Sequence, residues 1–223
     1  MGLRGVSVTL PFKTLVIPFL DEIEAVAKRI EAVNTIVNEG GRLIGYNTDW
    51  RGALGALEEK VDLKGKNVLL LGAGGAARAI GFGLKEKRCQ VIISNRSLDK
   101  ANELAKDLGF VCKPSSSLKE PEFDVIINAT SVGMFPQNTE CPLPRQLLRN
   151  GITVMDIVYE PLKTRLLREA EEKGCQTIDG LEMLARQGAG QLEIWTGKRS
   201  NIREIKEDLQ RALLRKLGTH PNF

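Results

Sequence analysis

Short apolar runs alternate with amphipathic segments through the central part of the chain. The short runs, bounded by glycine or polar residues, predict buried strands, and the longer periodic segments between them predict helices. Regular alternation of strand and helix is typical of a parallel sheet that is covered by helices on both faces. The predicted strands cover residues 68–71, 91–94, 125–128, 154–158 and 177–178, and the predicted helices cover residues 76–87, 98–108, 145–149 and 164–173.

The pattern on both sides of this central part is different. A β-branched, alternating run that ends at Pro11 predicts a strand, and acidic residues at the start of a periodic segment predict a helix. Two further runs flank Gly40 and Gly41, and this arrangement predicts a β-hairpin. The predicted elements are a strand over 5–10, a helix over 21–30, hairpin strands over 33–37 and 43–46, a helix over 50–60, and helical segments from 181 to 217 with a break near 197–201.

A glycine-rich turn joins the first central strand to its helix. Residues 72–77 fit the spacing G-x-G-x-x-A, in which small residues allow a tight turn, close approach to a pyrophosphate and close helix packing. The free N–H groups and the positive dipole end of the helix would face the phosphates. The alternative is an ordinary glycine-rich turn with a surface arginine nearby, but strand, turn, helix and second strand stand in the order that a dinucleotide site requires. The predicted phosphate-binding residues are Gly72, Ala73, Gly74, Gly75 and Ala76.

The end of the second central strand indicates which dinucleotide binds. NAD-preferring sites place an acidic residue there, about 20 residues after the glycines, to hold the ribose hydroxyls. This chain instead has Asn95 and Arg96, followed by Ser97 and, one helical turn later, Lys100. An acidic side chain would repel a 2′-phosphate, whereas a guanidinium holds it with charge-assisted hydrogen bonds. The sequence therefore favours NADP(H) over NAD(H).

Composition narrows the class of protein. The 223 residues carry a net charge of +4, which is too small to indicate nucleic acid or a membrane as a partner, and no apolar run is long enough to span a bilayer. The four cysteines are scattered, so we expect free thiols in a reducing cytoplasm and neither disulfides nor a metal site. The only histidine is His220, in a C-terminal tail that we expect to be mobile. Proton transfer must therefore come from Lys, Asp, Glu, Tyr or Cys.

Eight short runs make the chain resemble one enzyme family. Any one of them is a weak signal, but all of them occur in the order that they have in the shikimate dehydrogenase family, from about residue 5 to the last helix. The runs are 8–13 (VTLPFK), 32–35 (AVNT), 45–49 (GYNTD), 72–77 (GAGGAA), 95–97 (NRS), 128–133 (NATSVG), 156–161 (DIVYEP) and 180–187 (GLEMLARQ).

The resemblance implies reversible, NADPH-dependent reduction of 3-dehydroshikimate to shikimate, a small-molecule reaction of aromatic amino-acid and chorismate biosynthesis. It implies that Lys13 is the catalytic lysine and that Asp49 is its partner. The matching substrate-binding positions are Thr9, Asn34, Tyr159 and Gln187; the 2′-phosphate clamp matches Asn95, Arg96, Ser97 and Lys100; and the wall of the nicotinamide pocket matches Thr130, Ser131, Ile157, Gly180 and Met183.

The chemistry of a ketone reduction agrees with the roles of the first two residues. A cofactor supplies the hydride, and the protein must deliver a proton to the carbonyl oxygen. A lysine ammonium polarises the carbonyl and donates that proton, while a neighbouring aspartate orients it. Lys13 and Asp49 are far apart in the sequence, so their contact depends on the fold. The alternatives are a surface lysine that follows a turn and an aspartate that caps a helix.

Tyr159 and Lys163 also have the Y-x-x-x-K spacing of short-chain dehydrogenases. That pair requires one continuous helical face, and Pro161 between the two residues interrupts a helix. The spacing of the glycines differs from that family as well. We therefore assign Tyr159 to substrate binding at the end of a strand.

The chain departs from the family pattern at two places. Ser7 stands where family members have Asn, and the family's N-terminal segment, with a Ser-x-Ser run that anchors the substrate carboxylate, has no counterpart. The missing anchor predicts weaker substrate binding, at about 1.5–3 kcal/mol for each charge-assisted hydrogen bond, and an unpaired edge on the strand near residues 6–10. The explanations are a longer protein, a partner chain as in a homodimer, or an impaired enzyme. The functional alternatives are a truncated NADP-binding regulator or relic and a quinate/shikimate dehydrogenase.

We therefore predict an α/β protein with two parts. A doubly wound, Rossmann-type NADP-binding domain covers residues 50–180. A smaller, N-terminally truncated α/β substrate domain is discontinuous and combines residues 1–49 with residues 181–223. We expect the active site in the cleft between them, because ligand sites are common at domain interfaces.

Overall fold

The computed structural model describes residues 2–118 and 123–218, which form two β-sheets with surrounding helices. His220 lies outside the described residues. The strands are β1 (Gly5–Ser7), β2 (Glu22–Ile23), β3 (Thr35–Glu39), β4 (Arg42–Tyr46), β5 (Asn67–Leu71), β6 (Gln90–Ser94), β7 (Val111–Cys112), β8 (Val125–Asn128), β9 (Thr153–Asp156) and β10 (Gln176–Ile178). The helices are α1 (Ala25–Ile30), α2 (Asp49–Glu58), α3 (Gly75–Glu86), α4 (Leu98–Leu108), α5 (Arg165–Glu172), α6 (Gly180–Thr196) and α7 (Ile202–Gly218).

The larger sheet has the strand order β10-β9-β8-β5-β6-β7, and every neighbouring pair is parallel. This is the doubly wound order, in which the chain builds outward from β5 on one side and then crosses to β8 to build the other side. Ligands of such sheets bind outside the carboxyl ends of the strands at this switch point. The predicted fold class is therefore confirmed, and a ligand site is expected in the crevice between β5 and β8.

Alternate residues of the central strands face the two layers of helices. Leu70 and Ile127 pack into the apolar cluster that includes residues of α2, α3 and α4, whereas Leu69 and Ile126 pack into the cluster that includes residues of α5. All four side chains are fully buried, and burial of each contributes about 1.5–3 kcal/mol to stability. Both faces of the sheet are thus buried against helices, and the polar side chains of the central strands lie at the strand ends, as Asn128 and Asp156 do at the carboxyl ends.

The smaller sheet has the order β1-β3-β4-β2 and places the N-terminal residues beside the crevice. The predicted hairpin is confirmed: Gly40 and Gly41, with φ of 64° and 102°, form the turn between β3 and β4. Two positive φ angles are what a two-residue hairpin turn requires, and glycine adopts them without strain. Because β1 pairs antiparallel with β3, the segment after β1 lies next to Asn34 at the start of β3.

Two elements predicted for the N-terminal part, a strand and a helix, are wrong in the position of one of their ends. The predicted strand over 5–10 ends at Ser7, because a turn closed by the Phe12 N–H and the Thr9 carbonyl follows it. The predicted helix over 21–30 begins at Ala25, because Glu22 and Ile23 pair with β4 as a strand instead.

Three details of the larger sheet also differ from the predictions. The predicted helix over 145–149 is a short 3-10 helix, Arg145–Leu147, and β9 ends at Asp156 rather than at residue 158. The sequence does not predict β7, because a strand of two residues shows no periodicity. In the structure, Val111 of this strand is exposed. The remaining predicted strands and helices are confirmed to within two residues at each end.

Helix α2 connects the two sheets. It leaves the smaller sheet after β4 and packs against α3 and α6. The contact with α6 is close, since a Cβ added to Gly52 would lie 3.0 Å from the Cβ of Gln187. Gly197, with φ of 71°, ends α6 and confirms the predicted break before α7. None of the described helices has the length and apolar character that a bilayer span requires.

Candidate active site

A lysine and an aspartate from distant parts of the chain meet beside the smaller sheet. The Nζ of Lys13 lies 2.6 Å from the Oδ2 of Asp49. Lys13 follows the turn after β1, and its carbonyl accepts a hydrogen bond from the Val33 N–H just before β3. The aspartate side chain is 2% exposed and the lysine side chain is 16% exposed. The fold thus brings this pair together, with the ammonium on the more accessible side.

Asp49 is not a helix cap. The capping position of α2 is Thr48, and Asp49 is the first helical residue. The side chain of Asn47 accepts the hydrogen bond of the Asp49 N–H at 3.0 Å. The Asp49 carboxylate is therefore left to bind side chains from other elements, and the capping alternative is wrong.

Asn34 connects this pair to helix α6. Its Nδ2 donates to the second oxygen of Asp49 at 3.0 Å, to the Thr48 hydroxyl at 2.8 Å and to the Oε1 of Gln187 at 3.1 Å. Its Oδ1 accepts the Thr48 N–H and the Thr35 hydroxyl, at 2.8 Å and 2.7 Å. Both the nitrogen and the oxygen of the Asn34 amide are thus hydrogen-bonded, so the amide has one defined orientation. Four of the sequence-predicted residues, Lys13, Asn34, Asp49 and Gln187, are therefore in one hydrogen-bonded network.

Thr9 and Tyr159 are not part of that network. Thr9 is exposed in the turn after β1, directly after Val8, whose N–H binds the Asn34 carbonyl. Tyr159 is 39% exposed in the loop after β9. Within residues 2–118 and 123–218, neither side chain forms a hydrogen bond with the network.

The glycine turn lies directly against Lys13. A Cβ added to Gly75 would be 2.9 Å from the Cβ of Lys13, so a larger residue here would displace the lysine. Gly72 has φ of 120°, and a Cβ there would be 2.8 Å from the Ala129 carbonyl oxygen. A Cβ at Gly74 would meet open space, and no described side chain caps the N-terminus of α3, which begins after it. Open space in front of uncapped N–H groups fits the pyrophosphate of a dinucleotide. Ala73 and Ala76 complete this turn.

Two exposed cationic side chains lie just after the end of β6. Arg96 and Lys100 are exposed, and neither forms an ion pair with any other described residue. The side chain of Asn95 donates to the Ser97 carbonyl at 3.1 Å and so holds the turn between β6 and α4. Two cations that have no ion-pair partner in the described structure, at the strand end where an acid would select NAD, fit a 2′-phosphate.

Five further sequence-predicted residues occupy the carboxyl edge of the sheet on the other side of the crevice. Gly180 packs closely on the loop after β9, since a Cβ there would be 2.5 Å from the Val158 carbonyl oxygen. The five residues are Thr130 and Ser131 after β8, Ile157 after β9, and Gly180 and Met183 at the start of α6.

Among the described side chains, no group of three or more His, Cys, Asp or Glu could hold a metal ion.

Comparison with known proteins identifies the family. Three family models match: the shikimate dehydrogenase substrate-binding domain over residues 1–36, shikimate/quinate 5-dehydrogenase over 55–138, and the shikimate 5′-dehydrogenase C-terminal domain over 180–210. The NADP(+) shikimate dehydrogenase of Pyrococcus abyssi is 47% identical over 222 residues, which cover 98% of this chain and 80% of that protein. The chain belongs to the shikimate dehydrogenase family.

Two further members of the family are similar over most of their length. The NADP(+) shikimate dehydrogenase of Geobacillus kaustophilus is 43% identical over 223 residues, covering 96% of this chain and 81% of that protein. The crystal structure of shikimate 5-dehydrogenase from Thermus thermophilus in complex with NADP(H) and shikimate has a TM-score of 0.88 to this chain. Its identity is 41%, and the match covers 95% of this chain and 80% of that chain.

Sequence reasoning assigned no role to a second buried network, which lies at the ends of β8 and β9. Asp156 is fully buried and accepts hydrogen bonds from the Asn128 side chain at 2.9 Å, the Val158 N–H at 3.0 Å and the Thr164 hydroxyl at 2.7 Å. Burial raises the pKa of Asp156 to about 6, and the three hydrogen bonds oppose this rise without cancelling it. A signal exists in the sequence, because the apolar runs of two strands are each followed by a residue with a polar side chain, Asn128 and Asp156.

The raised pKa of Asp156 makes stability depend on pH. Because the folded protein binds this proton more tightly than the unfolded chain, the favourable contribution is complete below the ordinary value of 3.8 and is lost as the pH rises through about 6. Asp156→Asn removes the titration. We expect the unfolding free energy of this variant, relative to the unmodified chain, to rise by about 2 kcal/mol between pH 4.5 and pH 7.5. Urea unfolding at both pH values measures the change, and a pH-independent difference would contradict the raised pKa.

Proposed function

We propose that this chain catalyses the NADPH-dependent, reversible reduction of 3-dehydroshikimate to shikimate, with Lys13 and Asp49 as its acid–base pair. The observation that carries the proposal is the Lys13–Asp49 contact of 2.6 Å directly beside Gly75 of the glycine turn. An ammonium held in this place can reach a carbonyl group that lies next to a dinucleotide bound on the turn. The reaction belongs to chorismate and aromatic amino-acid biosynthesis.

Lys13 would act on the oxygen of the substrate carbonyl. NADPH, when bound, supplies the hydride to the carbonyl carbon. The Lys13 ammonium donates a hydrogen bond to the carbonyl oxygen, stabilises the negative charge that develops there, and transfers the proton that completes the hydroxyl. In the reverse direction, neutral Lys13 accepts that proton. Asp49 holds the Nζ at a fixed position and so limits the orientations that the lysine can adopt.

Asn34 and Gln187 would bind the hydroxyl groups of the substrate, with a substrate oxygen replacing the Oε1 of Gln187 as an acceptor of the Asn34 amide. Their amides are linked at 3.1 Å and lie on the same side of the Lys13–Asp49 pair, where Asn34 also contacts Asp49. Paired amides with fixed donors and acceptors suit the recognition of neighbouring hydroxyls. We assign Thr9 and Tyr159 to the rim of this pocket, since both are exposed and their hydroxyls have no partner among the described residues.

The cofactor would lie across the carboxyl ends of β5, β6, β8 and β9. The N–H groups at the start of α3 would hold the pyrophosphate, with the turn from Gly72 to Ala76 allowing close approach. Arg96 and Lys100 would bind the 2′-phosphate, and Asn95 and Ser97 would shape the turn between them. The loops after β8 and β9 and the start of α6 would form the wall around the nicotinamide: Thr130, Ser131, Ile157, Gly180 and Met183.

The two-domain organisation is part of the proposal. Residues 50–180 would form the NADP-binding domain, and residues 1–49 with 181–223 would form the substrate domain, so that α2 and α6 pack together at the boundary. Free thiols suit a cytoplasmic location, which we propose on that ground alone. A homodimer is a further hypothesis, supported by the position of β1 at the edge of its sheet.

A regulator or relic without turnover is the less favoured function. The buried carboxylate of Asp49, the lysine beside it and the two amides form a complete network, and a binding module needs none of these four groups. Quinate as an alternative substrate remains a hypothesis, supported by the match of residues 55–138 to the shikimate/quinate 5-dehydrogenase model.

Lys13→Ala tests the catalytic role of the lysine. Loss of the proton donor should lower turnover of 3-dehydroshikimate by about 10²–10⁴-fold, measured by the absorbance of NADPH. Fluorescence titration should give an unchanged Kd for NADPH, because the glycine turn and the Arg96 region are untouched. Lys64→Ala, at an exposed lysine before β5, is the matched control and should keep full turnover. Wild-type turnover in Lys13→Ala would refute the assignment.

Arg96→Ala tests the 2′-phosphate clamp. Loss of the guanidinium removes one or two charge-assisted hydrogen bonds, at about 1.5–3 kcal/mol each, so the Kd for NADPH should rise by about tenfold or more. The Kd for NADH is the internal control and should stay constant, since NADH has no 2′-phosphate. An equal rise for both dinucleotides would mean that Arg96 acts on some other part of the cofactor.

A further inference from the structure

Asp156 is a buried carboxylate that has no cationic partner in the described part of the chain. Its exposed fraction is 0%, and it forms no ion pair with any described residue. Its hydrogen-bond donors are all uncharged: the Asn128 amide, the Val158 N–H and the Thr164 hydroxyl. Burying an anion without a counter-charge costs stability, whereas an asparagine of the same shape would avoid most of that cost. Groups kept at such a cost are concentrated at functional sites.

The carboxylate determines the orientation of the Asn128 amide. A carboxylate only accepts hydrogen bonds, so the Nδ2 of Asn128 must face Asp156, and the Oδ1 must face the other way. This Oδ1 accepts the Thr130 N–H at 3.1 Å and the Thr130 hydroxyl at 2.6 Å. The Thr130 hydroxyl in turn accepts the Val132 N–H at 3.1 Å, and the Nδ2 of Asn128 also donates to the Val132 carbonyl at 3.2 Å. One oriented amide therefore fixes the backbone of the loop after β8.

That loop lies against the glycine turn. The carbonyl oxygen of Ala129 is 2.8 Å from the place where a Cβ of Gly72 would be. The Ala129 N–H donates to the carbonyl of Leu71, the residue before the turn, at 2.8 Å. A shift of the loop after β8 therefore changes the distance between the turn and Thr130 or Ser131.

Asp156 also holds the loop after β9. Its Oδ1 accepts the Val158 N–H, and the Val158 carbonyl packs on Gly180 at the start of α6. The Phe135 N–H donates to the Glu160 carbonyl at 2.9 Å and joins this loop to the one after β8. A single carboxylate is thus bound to both loops and, through Val158, to the helix that carries Gln187.

We propose that Asp156 is a positioning residue of the dehydrogenase reaction, which holds the loops after β8 and β9 at the distance from the glycine turn that hydride transfer requires. The inference rests on the proposed function, because it takes these loops as the wall of the nicotinamide pocket. It assigns to Asp156 no contact with substrate or cofactor. The carboxylate acts through Asn128 and Val158.

Asp156→Asn separates this role from a role in stability. The amide keeps the shape of the side chain but has one acceptor oxygen instead of two, so the hydrogen bonds from Asn128 and Val158 at one end and from Thr164 at the other cannot all persist unchanged. At pH 7.5 the variant should be at least as stable as the unmodified chain, because a buried charge is removed. Its kcat should nevertheless fall by about tenfold, which corresponds to about 1.4 kcal/mol in the barrier. The KM for 3-dehydroshikimate should stay near that of the unmodified chain.

The isotope effect on kcat supplies a readout that a merely structural role would not change. With NADPH that carries deuterium at the transferred position, Asp156→Asn should show a larger isotope effect than the unmodified chain, because misplacement slows the hydride step itself. Val154→Ala is the matched control: it lies on the same strand, is fully buried in the apolar cluster against α5 and forms no side-chain hydrogen bond. It should lose stability in urea unfolding, because a cavity is left in the apolar cluster, with an unchanged isotope effect.

Two results would overturn the inference. An Asp156→Asn variant with unchanged kcat and isotope effect would mean that the carboxylate does not position the loops for reaction. Equal losses of kcat in Asp156→Asn and Val154→Ala would assign Asp156 to stability alone. Failure of the proposed function is distinguishable from both, since the unmodified chain would then show no turnover of 3-dehydroshikimate with NADPH.

Discussion

The contact between Lys13 and Asp49 is the constraint on which the rest of the site depends. Asp49 is almost completely buried, and a buried carboxylate that loses its cation is strongly destabilised. The lysine must therefore stay beside it, which fixes the turn after β1 against the glycine turn at Gly75. The same contact joins the smaller sheet to the dinucleotide crevice. The same ion pair thus holds the two parts of the fold together and, in the proposed mechanism, positions the proton donor.

The same pairing of an asparagine amide with a buried aspartate occurs twice in the structure. Asn34 beside Asp49 and Asn128 beside Asp156 are amides whose orientation is set by an acceptor-only carboxylate. The first pair lies where the lysine and the substrate hydroxyls are expected, and the second lies under the loops that we propose as the wall of the nicotinamide pocket. Asp49 has a cation beside it, whereas Asp156 has no ion-pair partner among the residues that the structure describes. Burial raises the pKa of Asp156, and only neutral donors oppose this rise.

Local signals in the sequence predict most of the fold. The strand, glycine turn and helix around Gly72 follow from residue type and spacing, and Gly40 with Gly41 predicts the hairpin. The errors arise where pairing with a distant strand overrides the local pattern, as at β2, or where an element is too short for any periodicity, as at β7. The site is less accessible to such reasoning. Gln187 reaches Asn34 across 153 positions, and only the family resemblance connected them in advance.

A double-mutant cycle on kcat/KM tests the central claim most directly. Lys13→Ala, Asp49→Ala and the double variant would each be assayed with NADPH and 3-dehydroshikimate. If the two residues work as one unit, the double variant should be about as slow as Lys13→Ala alone, because residues that act together show strongly non-additive losses. Losses that multiply in the double variant would contradict the account, since they would mean that Lys13 and Asp49 act independently.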